Sequence, residues 1–345
     1  MRHQLRQFLS IWFIAAVIVG VKVSKASALE KITHVDCGLV PSFSVVWVGV
    51  DAGIFKKNGL DVNTVTAQST AACVQSMLAG EAQVGNPETV AGLIANQNGA
   101  SFVNIMNYQK TILYEMFVRS EIKSAQDLKG KKMGINRFGA TAEAMSRIML
   151  KNLGLDPHKD MSFIQVGGGQ ERALALMNNA VQASLFSPPE PVKLAKEPSL
   201  RRFATLSDQN VEYPYLNLVT TRNYLKDRRD IIRNFVRGYV ESLKFYATFK
   251  QQSMEIISRR LRITDTELVD YVHKTTVENS YMKPYVPKDA DILYEFAQLQ
   301  LKKPITVKWD DTYDNSFVRE LDASGFIDKL FQGVTNVIRE PVAHK

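Results

Sequence analysis

The stretch between residues 40 and 95 constrains the fold most, because helix-like and strand-like patterns alternate along it. Apolar residues at helical spacing predict a helix from Val45 to Phe55. Gly59 follows, a residue type that suits the left-handed end of a helix. Short strands are predicted at Leu60 to Val62 and at Ala82 to Gly85, each followed by a further helix. This alternation is typical of an α/β fold built on a parallel sheet.

Small polar residues follow the predicted strands, at the edge where α/β sheets receive their ligands. Helix N-termini at these positions offer free N–H groups and the positive end of the helix dipole to an anion or a carbonyl. We therefore expect ligand contacts from Ser42, Phe43, Ser69, Thr70 and Asn86. Plain helix capping is the alternative for such serine and threonine residues.

Three segments of the chain carry a family resemblance: AGIFKKNGLDV at 52–62, LAGEAQVG at 78–85 and DLKGKKMGIN at 127–136. They resemble the periplasmic solute-binding proteins of ABC importers, in the group that serves sulfonate, taurine, nitrate and thiamine-pyrimidine precursors. The resemblance implies a two-lobe periplasmic binding protein fold, type II-like, with the ligand cleft between the lobes. It covers the chain well from about residue 31 to about residue 250 and loosely beyond.

The resemblance and the element pattern together predict the domain organisation. The expected parts are a signal peptide at 1–28, a first part of lobe 1 at 29–114, lobe 2 at 115–216, and a second part of lobe 1 with C-terminal helices at 217–345. The chain would cross between the lobes at Tyr114 to Val118 and again at Leu216 to Thr221. Two extended crossings are typical of a hinge that allows closure.

The N-terminus has the order of a secretory leader: the basic segment MRHQLRQ, an apolar run from Phe8 to Val21, and the small residues Ala26-Ser27-Ala28. A transmembrane anchor is the alternative, but the apolar run is shorter than the ~20 residues of a usual span. We predict cleavage after Ala28 and a mature protein in the periplasm.

Charge does not favour nucleic acid as a partner. The net charge is +8 over 345 residues, but four basic residues belong to the leader, which leaves 39 basic and 35 acidic residues. The remaining basic residues are dispersed, as in KDRRD at 226–230, which is typical of solvated helix faces.

Catalysis has little support in the sequence. The five histidines have no metal-ligand spacing, there is no G-x-S-x-G motif, and Gly167-Gly168-Gly169 lacks the later glycine of a dinucleotide fingerprint. We expect no catalytic residue, no metal and no cofactor.

Cys37 and Cys73 both suit small buried apolar positions, so two thiols are favoured, although the periplasm permits a disulfide.

Lobe 2 offers its own candidate contacts after a predicted strand that ends at Asn136. Arg137, Gly139, Ala140 and Thr141 open the next helix, and an arginine there could bind a carboxylate or sulfonate in a bidentate pair. An arginine on the rim of the cleft, paired with Glu143 or with solvent, is the alternative.

Further candidates follow other strand ends. Tyr108 and Tyr213 could wall the apolar part of a ligand, and Pro188 and Glu190 open another helix. Compared with the family pattern, Gln83 and Gln182 replace an aspartate, and Ser187-Pro188-Pro189 replaces a tryptophan-aspartate-proline segment of many relatives. In relatives that bind amino-sulfonates, the aspartate of that tryptophan-aspartate-proline segment often contacts the amino group of the ligand. Its absence here disfavours an amino-sulfonate, although Glu190 could replace it.

The sequence thus predicts a periplasmic substrate-binding component of an ABC transporter. It would act as a monomer, capture a small organic anion such as a sulfonate or carboxylate by lobe closure, and deliver it to the transmembrane permease subunits. A pyrimidine or other nitrogen compound is the alternative ligand. An enzyme like that of thiamine-pyrimidine synthesis and a sensor that presents ligand to a receptor kinase are the alternative functions.

Overall fold

The computed structural model describes residues 28–38, 41–138, 140–209 and 213–341. The leader predicted from the sequence therefore lies outside the described residues, apart from Ala28. Among the described residues, no helix combines the length and the apolar character that crossing a membrane requires.

The first sheet has five strands in the order β2-β1-β3-β10-β4. They are β1 Glu30–Asp36, β2 Leu60–Thr66, β3 Val84–Gly85, β4 Phe102–Asn107 and β10 Asn217–Thr221. Strands β2 and β3 pair in parallel with β1, whereas β10 runs antiparallel to β3 and β4. We call this sheet and the helices packed on it lobe 1.

The second sheet repeats the same arrangement in the order β7-β6-β8-β5-β9. Its strands are β5 Glu115–Arg119, β6 Lys131–Ile135, β7 Met161–Gln165, β8 Ala183–Phe186 and β9 Leu200–Thr205. Strand β5 runs antiparallel to β8 and β9, and the other pairs are parallel. We call this sheet and its helices lobe 2. The predicted α/β class is confirmed, but each sheet is mixed, because the strand that follows each crossing runs opposite to its neighbours.

Helices follow most of the strands. Those of the lobes are α1 Ser44–Asp51, α2 Ile54–Lys57, α3 Thr70–Leu78, α4 Thr89–Gln97, α5 Thr141–Asn152, α6 Gly169–Met177 and α7 Glu190–Leu194. The single helix predicted from Val45 to Phe55 is wrong, since the chain breaks at Gly53, which takes a left-handed conformation with φ +71°. Gly59 has φ +78°, in agreement with the helix end predicted there.

The chain after β10 is helical, as the apolar spacing predicted. Its helices are α8 Arg222–Asp227, α9 Arg229–Thr248, α10 Lys250–Leu261, α11 Thr266–Glu278, α12 Asp291–Leu301, α13 Ser316–Ala323 and α14 Phe326–Leu330. Phe235, Tyr239 and Leu243 of α9 belong to the buried core of lobe 1, together with α1 and strands of the first sheet. Burial of one helix face accounts for the three-and-four spacing of these apolar residues.

A second core joins the two lobes. Val90 and Leu93 of α4, Met145 and Met149 of α5, and Phe296 of α12 belong to one buried apolar cluster. Helix α12 therefore contributes to the packing at the junction of lobe 1 and lobe 2.

Cys37 and Cys73 form a disulfide, with their Cα atoms 5.1 Å apart. The expectation of two thiols is therefore wrong. Cys37 lies directly after β1, and Cys73 lies in the first turns of α3, which packs on β1. The strand end and the helix start meet in space, although the two cysteines are 36 positions apart in the sequence and no local pattern links them.

Candidate functional site

A buried polar cluster lies at the carboxyl end of β1. The Asp36 carboxylate accepts hydrogen bonds from Trp47 Nε1 at 2.6 Å and from Asn86 Nδ2 at 3.0 Å. Asn86 Oδ1 accepts from the Cys37 N–H at 3.0 Å, so both ends of the Asn86 amide are used within lobe 1. Asn86 was predicted to contact ligand; the structure places it where it holds the β1 and β3 ends together.

Two titratable groups of this cluster are fully buried. Burial raises the pKa of Asp36 to about 7 and lowers the pKa of His34 to about 3. His34 Nδ1 lies 3.6 Å from Asp36 Oδ1. Because burial opposes ionisation of both groups, the cluster favours the neutral forms of both side chains.

The other predicted contacts of lobe 1 divide between surface and core. Ser69 is exposed and its Oγ accepts from the Ala72 N–H at 3.2 Å, which is the capping alternative considered above. Thr70 beside it is half-buried. Ser42 is buried in a short 3₁₀ turn, and Phe43 and Tyr108 belong to the apolar core of lobe 1. The structure therefore does not bring these five residues onto one open surface.

Arg137 and Phe138 of lobe 2 both lie exposed after β6. Arg137 has no carboxylate within ion-pair distance among the residues that the structure describes, and Glu143 instead pairs with Arg147 at 2.7 Å. The surface pair considered for Arg137 and Glu143 is therefore absent, and the Arg137 guanidinium faces solvent. Gly139 lies outside the described residues, and Ala140 is buried.

Thr141 and Glu88 connect the two lobes. Glu88 directly precedes α4 in lobe 1, Thr141 begins α5 in lobe 2, and Thr141 Oγ1 donates to Glu88 Oε1 at 3.1 Å. Burial raises the pKa of the Glu88 carboxyl, and the Thr141 hydrogen bond opposes that shift. A carboxyl group of one lobe thus meets the helix N-terminus of the other.

Three tyrosines accompany Glu88 at this junction. Burial, and after it the negative charge of Glu88, raises the pKa of Tyr114 to about 12 and the pKa of Tyr213 and Tyr215 well above the ordinary value. The Tyr213 and Tyr215 rings lie 6.1 Å apart. The Tyr213 hydroxyl is fully buried and has no hydrogen-bond partner among the described residues.

Arg172 supplies a buried cation from lobe 2. Its Nη1 donates to the Gly167 carbonyl at 2.6 Å and its Nη2 to the Leu185 carbonyl at 3.3 Å, while its buried Nε has no partner among the described residues. Burial lowers the pKa of Arg172, and the charges of Tyr114 and Glu190 act against that shift. Of the three tyrosines, Tyr114 is the one whose charge interacts with Arg172.

Pro188 and Glu190 follow β8, the strand whose Leu185 carbonyl accepts from Arg172. A Cβ atom on Gly169 would come within 2.6 Å of Glu190 Oε1, so the absent side chain leaves room for the carboxylate against the start of α6.

Tyr213, Glu190 and Thr141 were predicted from the sequence, whereas Glu88, Tyr114, Tyr215 and Arg172 were not. Glu88 lies two residues after Asn86, in the loop that follows the same strand. The reasoning that selected Asn86 as a ligand contact could therefore have selected Glu88 as well.

An apolar cavity of about 610 Å³ opens between α5 and α12. Phe138, Ala140, Ala144, Ile148 and Phe296 supply the apolar part of its lining. The charged side chains that also line it are Glu143, Arg147 and Lys151 of α5, Glu295 of α12, and Lys302 directly after α12. Phe138 is 55% exposed and Ala140 is buried, so the cavity begins at the loop that also leads to Thr141.

Comparison with known proteins identifies relatives over much of the chain. Residues 40–251 match the family described as NMT1/THI5 like. "Putative binding protein YtlA" of Bacillus subtilis (strain 168) is 20% identical over 263 residues, which cover 75% of this chain and 78% of that protein.

Solved structures share the fold at low sequence identity. The periplasmic aliphatic sulphonate binding protein SsuA from Escherichia coli has a TM-score of 0.64 and 15% identity, over 83% of this chain and 91% of that one. The periplasmic nitrate-binding protein NrtA from Synechocystis PCC 6803 has a TM-score of 0.61 and 12% identity, over 90% of this chain and 92% of that one. The expected periplasmic binding protein fold is confirmed by these similarities.

Proposed function

Because this chain belongs to the NMT1/THI5-like family, we propose that it is the periplasmic substrate-binding component of an ABC transporter. It captures a small organic ligand between lobe 1 and lobe 2 and delivers it to the transmembrane permease subunits. The observation that carries this proposal is the junction at Glu88 and Thr141, where groups of both lobes meet within hydrogen-bond distance. A ligand at such a junction contacts both lobes only when they are closed, and so it favours closure.

The ligand we propose has an acidic group, such as a sulfonate or carboxylate. Arg172 is a buried cation whose charge interacts with Tyr114, Arg137 is an exposed cation after β6, and the N-terminus of α5 adds its dipole. The solved structures with this fold include proteins named for sulfonate and nitrate binding, which agrees with an anionic ligand.

The proposed contacts are the thirteen residues predicted from the sequence together with four added from the structure. They are Ser42, Phe43, Ser69, Thr70, Asn86, Tyr108, Arg137, Gly139, Ala140, Thr141, Pro188, Glu190 and Tyr213, with Glu88, Tyr114, Arg172 and Tyr215 as the additions. We place the lobe boundaries at residues 114 and 216, beside the strands that enter lobe 2 and return to lobe 1.

Two alternatives have separate support. The tyrosines near Glu88 would also suit a pyrimidine or another nitrogen compound, because rings stack and a carboxyl group accepts hydrogen bonds. An enzyme on this fold is the second alternative, because the family name covers more than binding proteins. We propose a binding protein that works as a monomer in the periplasm, without nucleic acid, metal or cofactor.

A thermal-shift screen of the chain from residue 29 onward tests the proposal. Sulfonates, carboxylates, amines and pyrimidines are added singly, and a ligand at 100 times its Kd should stabilise the native state by about 2.7 kcal/mol. Hits are confirmed by calorimetry, and mass spectrometry of the recovered compound checks that it is unchanged. If no compound of any class raises the melting temperature, or if a hit is converted, the proposed binding function is wrong.

A further inference from the structure

Asp36 lies at the point where the loops of lobe 1 meet. Its backbone carbonyl accepts from the Ala67 N–H at 2.9 Å, in the loop between β2 and α3. Its carboxyl group accepts from Trp47 Nε1 of α1 at 2.6 Å and from Asn86 Nδ2, directly after β3, at 3.0 Å. One residue at the end of β1 is therefore hydrogen-bonded to α1 and to the loops that follow β2 and β3.

Two further links complete this network. The Cys37 N–H donates to Asn86 Oδ1 at 3.0 Å, and the disulfide joins Cys37, after β1, to Cys73 of α3. The loops connected in this way carry the lobe 1 contacts of the proposed site, which are Ser42, Phe43, Ser69, Thr70, Asn86 and Glu88. Asp36 itself is fully buried, so it can act on a ligand only through these loops.

The direction of these hydrogen bonds requires one carboxyl group in the pair formed by Asp36 and Asn86. Trp47 Nε1 donates at one end of the pair and the Cys37 N–H donates at the other, and neither group can act as an acceptor. The two side chains must therefore supply three acceptor atoms and one donor group between them. One carboxyl group and one amide meet this count, and a protonated carboxyl group still does, since both of its oxygens keep acceptor capacity. Two amides would leave a buried N–H group facing another donor, which is costly.

We propose that Asp36 is the positioning residue of the lobe 1 ligand surface. Its carboxyl group fixes the loops after β1 and β3 relative to each other, and its carbonyl group fixes the start of the loop after β2. The contacts on these loops are therefore arranged before a ligand arrives. Such preorganised contacts bind more tightly, because less conformational entropy is lost on binding. This inference rests on the proposed function, because the loops that it concerns are those of the proposed cleft.

A double variant that exchanges the two side chains tests this inference in the chain from residue 29 onward. Asp36→Asn alone gives the pair two amide oxygens and two NH₂ groups, so one buried donor is left without an acceptor. Asp36→Asn combined with Asn86→Asp restores three acceptor oxygens and one NH₂ group, with the carboxyl group moved to the other side chain of the pair. Asp61→Asn in β2 makes the same chemical change at an exposed side chain and is the matched control.

Amide hydrogen exchange followed by mass spectrometry reports on the loops without any ligand. In Asp36→Asn, peptides that span 67–73 and 84–88 should exchange at least about tenfold faster than in the wild type, because an unpaired buried donor favours local opening. Peptides of α5 in lobe 2 should keep the wild-type rate. The double variant should return toward the wild-type rate in all peptides, and Asp61→Asn should match the wild type. Equal acceleration in both lobes of Asp36→Asn would show a loss of global stability alone and would overturn the positioning role.

Calorimetric titration with ethanesulfonate connects the loops to binding. Asp36→Asn should bind this probe about tenfold or more weakly than the wild type, and the double variant should recover most of that loss. Wild-type affinity in Asp36→Asn overturns the inference, as does a double variant that is no better than the single one in folding, exchange or affinity. If ethanesulfonate does not bind the wild type, a sulfonate ligand is contradicted, while the exchange comparison still decides the role of Asp36. The proposed function itself fails only if every compound class of the thermal-shift screen fails.

Discussion

His34 and Asp36 show how one buried pair shapes the pH dependence of a fold. The raised pKa of Asp36 gives it a stabilising contribution that is lost as pH rises from its ordinary value of 3.8 toward about 7. The lowered pKa of His34 has the opposite sign, because its contribution is lost as pH falls from 6.5 toward about 3. Between about pH 4 and 6.5 the two contributions change with pH in opposite directions, so their effects on the pH dependence of the free energy of unfolding cancel.

Asp36→Asn should expose the contribution of His34 alone. We expect the free energy of unfolding of the variant, relative to the wild type, to fall by about 1.4 kcal/mol for each pH unit below 6.5. Urea unfolding at pH 4, 5 and 6 measures this slope. Asn86→Ala is the control, because it removes a hydrogen bond to Asp36 but leaves the Asp36 carboxyl group in place. It should lower the free energy of unfolding without the pH dependence expected for Asp36→Asn. Parallel curves for Asp36→Asn and wild type would contradict the assigned shifts.

Arg137 is an exposed cation that lies four residues before Thr141, the first residue of α5. Charge-assisted contacts of arginine contribute roughly 1.5–3 kcal/mol, so Arg137→Ala should weaken binding of an acidic ligand by about tenfold or more. Calorimetry with the ligand found by screening measures this, and Arg137→Lys should recover only part of the affinity, because lysine cannot form a bidentate pair. Unchanged affinity in a folded Arg137→Ala would show that Arg137 belongs to the rim.

At the scale of elements, the disulfide joins the end of β1 to the first turns of α3. Closing a loop of this length in the unfolded chain should stabilise the native state by about 3–4 kcal/mol. We expect the double variant Cys37→Ala, Cys73→Ala to melt several degrees below the wild type. Dithiothreitol should lower the wild-type melting temperature toward that of the variant and leave the variant itself unaffected. A wild type insensitive to reductant, with no loss in the variant, would contradict this expectation.

Both lobes contain the same pair of hydrogen bonds from a glutamine that directly precedes a strand. Gln83 Nε2 donates to the Gly80 carbonyl and its Oε1 accepts from the Thr33 N–H at 2.8 Å. Gln182 Nε2 likewise donates to the Asn179 carbonyl, and its Oε1 accepts from the Lys132 N–H at 3.1 Å. Each glutamine ties the turn before a strand to the neighbouring strand, so both side chains have a structural role.

At the scale of the whole molecule, a ligand at the junction should close the lobes. Small-angle scattering should give a smaller radius of gyration with ligand than without it, because a ligand that contacts both lobes binds the closed state better. Thr70→Ala and Thr141→Ala should both weaken binding if the site spans the cleft. A constant radius at saturation, with only one of these variants affected, would show a site confined to one lobe.

The leader is a second prediction at this scale. Full-length chain exported by a bacterial host should be recovered from the periplasm with the mass of residues 29–345, because the basic, apolar and small-residue segments at 1–28 are those of a cleavable signal peptide. Intact-mass measurement checks the cleavage site. Recovery of the uncleaved chain in the membrane fraction would mean that the segment is an anchor.

The sequence by itself determined the features that depend on neighbours along the chain. Alternating strand and helix patterns, the Gly59 helix end, the amphipathic α9 and the family motifs are local, so they predicted the α/β class, the two lobes and the strand-end loops. Thr141, Glu190 and Tyr213 were predicted from those loops. Only the tertiary structure placed Glu88 against Thr141, 53 residues away, and brought Arg172 near Tyr114. It also buried Phe43 and Tyr108 in the core and joined the two cysteines. Such proximities arise when separate elements pack and exclude water, and no local pattern of residues records them.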